Sequence, residues 1–167
     1  MQAATAQRSG SFPAPLRAAL AGWAGLAIFP RTVWARSAAV SGIATGCVAY
    51  VAMGYLGIQA GAPDGDFSTL AGVRSLLQSA NEPIHAACWI HYLAFDLALG
   101  LVETELAGPL GMPTFLLWAT LPATLMLGPA GLLLFGVLAA ANCAVAGRLD
   151  RITALFSYGA DAKDKSE

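Results

Sequence analysis

The stretch "NEPIHAACWIHYLAFDLALGLVETE", residues 81–105, decides how the rest of the chain is read. It reads as an apolar helix, yet it carries His85, His91, Asp96 and Glu103 in a chain with little charge elsewhere. Ionisable groups at bilayer depth are expensive, on the order of 2.5–3.5 kcal/mol for an Asp on insertion scales, and they usually face a bundle interior or mark a functional pathway. Spacing sorts them. His85, Trp89, Tyr92, Asp96 and Glu103 are separated by 4, 3, 4 and 7 residues, so a helix of about 3.6 residues per turn sets them along one narrow stripe. His91 falls about 140° around the axis from Asp96, so it needs a partner on another helix or in water.

Depth along the segment grades these residues further. Asp96 is the deepest, and is either a carboxyl satisfied by a neighbouring helix or a functional group. His91 is either a packed, hydrogen-bonded imidazole or a second functional group. His85 and Glu103 lie toward the two ends and are expected near the headgroups as anchors. Trp89 and Tyr92 are packing residues, or platforms for a flat pigment.

Composition points the same way. Of the 167 residues, 57% are hydrophobic and 11% charged, against roughly a quarter charged in a soluble domain. A bilayer is the solvent this balance suits, and the length allows one domain. The net charge of −1 leaves no clustered Lys and Arg for phosphate backbones, so no nucleic-acid partner is expected. Cys47, Cys88 and Cys143 are far apart inside apolar segments and read as small buried hydrophobes. Neither a Ser–His–Asp set, an HExxH, a His-rich box nor a Cys–His metal spacing occurs, so no metal is expected.

Around the central helix the expected class is all-α, an integral membrane four-helix bundle with short loops and a kinked last helix. Residues 1–14 read as a disordered lead-in, 15–147 as the four-span domain, and 148–167 as a polar tail that starts amphipathic. The first span, "PLRAALAGWAGLAIFP" at 15–30, is bounded by Pro15 and Pro30. "RTVWAR" at 31–36 is a turn with Arg31, Arg36 and an interfacial Trp34. The span at 37–61 carries Ala38, Gly42, Gly46 and Gly54, a small-residue stripe for close helix packing within the chain or across a homodimer. Residues 62–83 read as a loop with a short surface helix that Ser68 would cap. From Thr114 to Gly147 no residue is charged. That run is either one long helix kinked at Pro129, the preferred reading, or two very short ones. Four spans would place Arg31 and Arg36 on the side opposite Arg148 and Arg151.

The block "WIHYLAFDLALG" at 89–100, followed by "TLMLGPAGLLLF" at 124–135, resembles the abscisic-acid-deficient-4-like family of small membrane proteins. The matching positions are Trp89, His91, Leu93, Ala94, Asp96, Leu97, Gly128, Pro129, Gly131, Leu132 and Leu133, and "LAIFPRTVWAR" at 26–36 looks like the family's first-span end. The chain departs from the family pattern at Ala98, at Phe135 and in the nearly neutral turn "LAGPLGMP" at 106–113.

In plants the family is tied to neoxanthin formation, so the resemblance implies isomerisation of an epoxy-carotenoid to an allenic one without net redox. Such chemistry needs a general acid at the epoxide oxygen and a base at a departing proton, in a dry groove. Asp96 and His91 are the expected catalytic pair, and Trp89, Tyr92 and His85 the expected pigment contacts. The competing reading is a non-catalytic accessory subunit of a photosynthetic membrane complex that holds carotenoid or chlorophyll, with His85 and His91 able to ligate chlorophyll magnesium. The expected location is a bacterial inner or photosynthetic membrane, or a plastid thylakoid or envelope.

Overall fold

The computed structural model describes residues 14–157, and every regular element among them is helical: α1 (Ala14–Ile28), α2 (Val33–Gln59), α3 (Leu70–Ser79), α4 (Glu82–Ala107), α5 (Thr114–Leu127), α6 (Pro129–Val145) and α7 (Asp150–Ser157). Apart from Ala14, the lead-in expected over residues 1–14 lies outside the described residues, as does the tail beyond 157. Two helices, α2 and α4, are long and apolar enough to cross a membrane. With 27 and 26 residues each measures about 40 Å. Helices α1, α5 and α6 are equally apolar but have only 15, 14 and 17 residues, or about 21–26 Å.

The expected kinked last helix is corrected: residues 114–147 form two helices, which makes five apolar helices rather than four. The break is a backbone property of Gly128, whose φ of 26° and ψ of −86° lie where L side chains rarely go. Pro129 then opens α6 at a position that has no amide to satisfy. Proline alone does not end a helix here, because Pro122 sits inside α5 without stopping it. After the break the chain reverses. Asn142 Nδ2 donates to the Gly111 carbonyl at 3.3 Å and Cys143 Sγ lies 3.5 Å from the Leu110 carbonyl, so α6 returns to the loop from which α5 departs.

Small residues set the packing of the other three apolar helices. A Cβ on Gly22 would meet Ala39 Cα at 3.1 Å and Leu97 Cδ2 at 2.9 Å, and one on Gly42 would meet the Ala18 carbonyl at 2.8 Å and Leu97 Cδ2 at 2.9 Å. Helices α1 and α2 are therefore antiparallel and nearly touching, with the fully buried Leu97 of α4 lodged where they meet. Gly46 faces Ala94 and Gly57 faces Ile84 in the antiparallel α2–α4 pair, while Gly100 of α4 lies under the Trp23 ring of α1. The Gly42 and Gly46 stripe is thus used inside the chain. Gly54, with nothing within 4 Å of a built Cβ, is not part of it. Outward, the helices present exposed apolar side chains, among them Val48, Val51 and Tyr55 of α2 and Leu133 and Val137 of α6.

The surface helix α3 begins one residue later than expected. Thr69 rather than Ser68 is its cap, accepting from the Gly72 amide at 2.9 Å. Asp66 steadies the approach by accepting from the Ser68 hydroxyl at 2.5 Å and the Ser68 amide at 2.8 Å. Asn81 caps α4 and donates to the Gly57 and Gly61 carbonyls at 2.8 and 3.0 Å, which ties the end of α2 to the start of α4.

Arginine placement is also corrected. Because α5 and α6 form a hairpin, Arg148 and Arg151 return to the end that holds Arg31 and Arg36. Arg31 Nη2 donates to the Met112 carbonyl at 2.6 Å and Arg151 Nη1 to the Pro109 carbonyl at 3.2 Å. Arg36 pairs with Glu105 through both carboxylate oxygens.

Replacing Gly42 with Val should separate α1 from α2 and cost about 1–3 kcal/mol, read as a lower thermal midpoint in detergent. Gly54→Ala should be neutral or stabilise by up to about 1 kcal/mol. The Ser68 hydroxyl and then its amide hold the Asp66 carboxyl below its ordinary range. A lowered folded-state value means that this support is present above the ordinary carboxylate range and fades as pH falls through the lowered value. Protection factors of the α3 amides, corrected for the intrinsic exchange rate at each pH, should therefore fall under acid, and Asp66→Ala should lower them at neutral pH.

Candidate functional site

The polar stripe of α4 faces the α5–α6 hairpin, and its two carboxyl groups meet different surroundings. Asp96 lies half-buried at the hairpin's tip, where its Oδ1 abuts the Gly128 backbone so closely that a Cβ there would strike it. Among the described residues its carboxyl makes no hydrogen bond, so it stays available to whatever enters beside it. The space it borders is a groove of about 460 Å³ lined by Trp89, Tyr92, Leu93, Asp96 and the backbone turn from Leu125 to Pro129. That volume lies within the range that holds small organic ligands. Trp89 and Tyr92, each 63% exposed, form its wall on the α4 side.

Two further apolar hollows border the same residues. One shares Trp89 and Leu93 with the groove and reaches Pro15 and Leu16 at the start of α1, and the other shares Leu125 and reaches Trp118 and Ala27. Their lining residues on α1 run from Leu16 to Ala27, about 17 Å. Asp96 is the one carboxyl among the residues that line the three.

Glu103 is not the interfacial anchor expected from its place near the end of the segment. It is 0% exposed, because the hairpin covers that end of α4. Thr124 Oγ1 donates to its Oε1 at 2.6 Å, and Oε2 has no partner among the described residues. Thr120, one helical turn before Thr124 on α5 and equally buried, turns its hydroxyl to the Leu117 carbonyl at 3.4 Å. Sequence reasoning missed Thr120 and Thr124. The available signal was two hydroxyl residues four apart in an otherwise apolar helix, facing a stripe that already contained Glu103.

His91 and Asp96 do not meet, as their angular separation on the helix predicts. The His91 ring stacks on Phe95 at a centroid distance of 4.4 Å and meets Tyr50 of α2 at 5.4 Å, on a different face of α4 from Asp96. His85 Nε2 donates to the Leu77 carbonyl at 3.2 Å and ties α4 to α3, which matches its expected place at the end of the span. Neither histidine is among the residues lining the Asp96 groove. Of the expected site residues, the structure thus brings together Asp96, Trp89 and Tyr92, and leaves His91 and His85 apart.

A family model described as ABA DEFICIENT 4-like matches residues 11–135. The chain belongs to that family. The match takes in α1 to α5 and the first turns of α6, so Asp96, Glu103, Gly128 and the groove all lie inside the family's region, while Arg148, Arg151 and α7 lie beyond it. Comparison with curated proteins and with solved structures returned no match. The family relates the chain to neoxanthin synthase-like proteins.

Thr124→Val should leave Oε1 of Glu103 without its closest donor and cost about 1–3 kcal/mol, measured by thermal unfolding in detergent. Glu103→Gln, which retains an acceptor for Thr124, should cost less.

Proposed function

We propose that the protein is an integral membrane isomerase of epoxy-carotenoids, which takes its substrate sideways from the bilayer into the groove beside Asp96. The observation that carries this reading is the placement of one carboxyl, free of hydrogen bonds, in the wall of a largely apolar groove whose Trp89, Tyr92, Met126 and Leu127 are exposed. Family membership supports the substrate class. In a bilayer the five apolar helices form the spanning bundle, and α3 and α7 lie at its two surfaces.

The reaction balances within the substrate. The epoxide carbon–oxygen bond breaks and its oxygen takes a proton to become a hydroxyl, while the neighbouring polyene carbon gives up a proton as the cumulated double bonds form. No oxidant or reductant enters. Asp96 in its acid form donates to the epoxide oxygen, and its carboxylate then takes the proton from carbon, so the residue ends as it began. Trp89 and Tyr92 hold the end ring, and the apolar walls keep water from capturing the opened epoxide. His91 has no part in these steps, because its ring is committed to Phe95 and Tyr50 on another face.

Expression in a host that accumulates an epoxy-carotenoid tests the proposal. Asp96→Asn should lower conversion by about 10²–10⁴-fold with the protein still present in the membrane, and His91→Ala should retain most conversion. Unchanged product in the Asp96 variant would remove the catalytic assignment. A protein that binds carotenoid without converting it, before and after the substitution, would instead favour the accessory pigment-binding role.

A further inference from the structure

Three of the four arginines at one end of the bundle lack a carboxylate partner among the described residues. Arg36 is paired with Glu105, but Arg31, Arg148 and Arg151 are not in ion pairs, and neighbouring Asp150 forms none with them. Two of these cations converge. Gly111 adopts φ +65°, and a point one Cβ above it lies 2.5 Å from Arg148 Nη1 and 2.8 Å from Arg151 Nη1. Arg148 Nε is buried without a hydrogen-bond partner. Two guanidinium groups brought this close repel each other, and an anion between or above them would relieve that repulsion.

The surroundings bear on what kind of anion the pair would meet. Phe29, Val33, Trp34, Phe115 and Leu149 stand exposed around the same end, Trp34 at 85%. A rim of exposed aromatic and aliphatic residues beside arginines is the pattern found at the headgroup level of a membrane. Helix α7 fits the same plane, since Ile152 and Leu155 turn inward onto the core while Arg151 remains at the surface. The opposite end is different, with Asp64, Asp66 and Glu82 against Arg17 and Arg74.

We propose that Arg148 and Arg151, over Gly111, clasp the phosphate of an anionic phospholipid headgroup, with Arg31 adding charge beside them. Planar guanidinium forks are suited to phosphate oxygens. Arg148 and Arg151 lie outside the region matched by the family, and the site is at the arginine end rather than in the Asp96 groove, so it stands apart from the carotenoid reading. It also orients the bundle: the loops at 29–32, 108–113 and 146–149 face the leaflet and compartment where basic residues accumulate, and α3 faces the other side.

Native mass spectrometry of the full chain, released from detergent with phosphatidylglycerol or phosphatidylcholine added, tests the site. Retention of phosphatidylglycerol should exceed that of phosphatidylcholine by about tenfold or more, and each of Arg148→Gln and Arg151→Gln should lower it by about fivefold. Arg74→Gln, at the opposite end, should leave it unchanged. Equal retention of the two lipids by the unaltered protein overturns the proposal, and that comparison decides the matter even where a variant fails to fold. Undiminished retention in the double variant overturns it as well. Inorganic phosphate that raises the thermal midpoint as much as phosphatidylglycerol does would assign the site to free phosphate and overturn the lipid.

Discussion

The arrangement of this bundle depends on one buried side chain, Leu97, lodged against Gly22 and Gly42. Where no water is expelled between helices, association depends on how closely backbones approach and how many dispersion contacts each side chain makes. The glycines let α1 and α2 nearly touch, and Leu97 fills the dent they leave. That contact fixes the rotation of α4 about its own axis. One residue earlier, Asp96 must then point toward the hairpin. Two turns further on, Glu103 must point under it, and His91 is left facing Tyr50 and the outer surface. The chemistry available to α4 therefore follows from a packing decision made by apolar and small residues.

Helices α1, α2 and α4 were legible from their apolar runs, the first bounded by Pro15 and Pro30. The Thr32 and Asn81 caps that start α2 at Val33 and α4 at Glu82 went unread, so those two helices begin earlier than the expected 37 and 84. The hairpin was not legible. Gly128-Pro129 is compatible with a kink and with a reversal, and what separates them is a backbone conformation at Gly128 together with the docking of Asn142 and Cys143 on a distant loop. Neither is written in local sequence. That one ambiguity also displaced Arg148 and Arg151, since the parity of the helices decides which end they reach.

The site was half legible for a similar reason. Helical spacing placed Asp96, Trp89, Tyr92 and Glu103 on one face, and all four lie along it. Position along a helix is a poor guide to burial, however, because coverage is supplied by other segments. Glu103 sits near the end of α4 yet is sealed by α5, and Asp96 near the middle borders an opening. The two carboxyls diverge in consequence: one is held by the Thr124 hydroxyl in a dry seam, and the other is left without a hydrogen bond beside a broken backbone.

The unequal helix lengths have a consequence for how any occupant arrives. Helix α4 outreaches the α5–α6 hairpin by about a third or more of its length, so among the described residues the hairpin leaves the Trp89 face open past Gly128. In the proposed membrane setting a molecule dissolved in the bilayer would reach this notch by lateral diffusion in two dimensions, without passage through water or the opening of a lid. Occupancy would then follow the ligand's mole fraction in the surrounding lipid, and a saturation curve drawn against its bulk concentration would shift with the amount of membrane present.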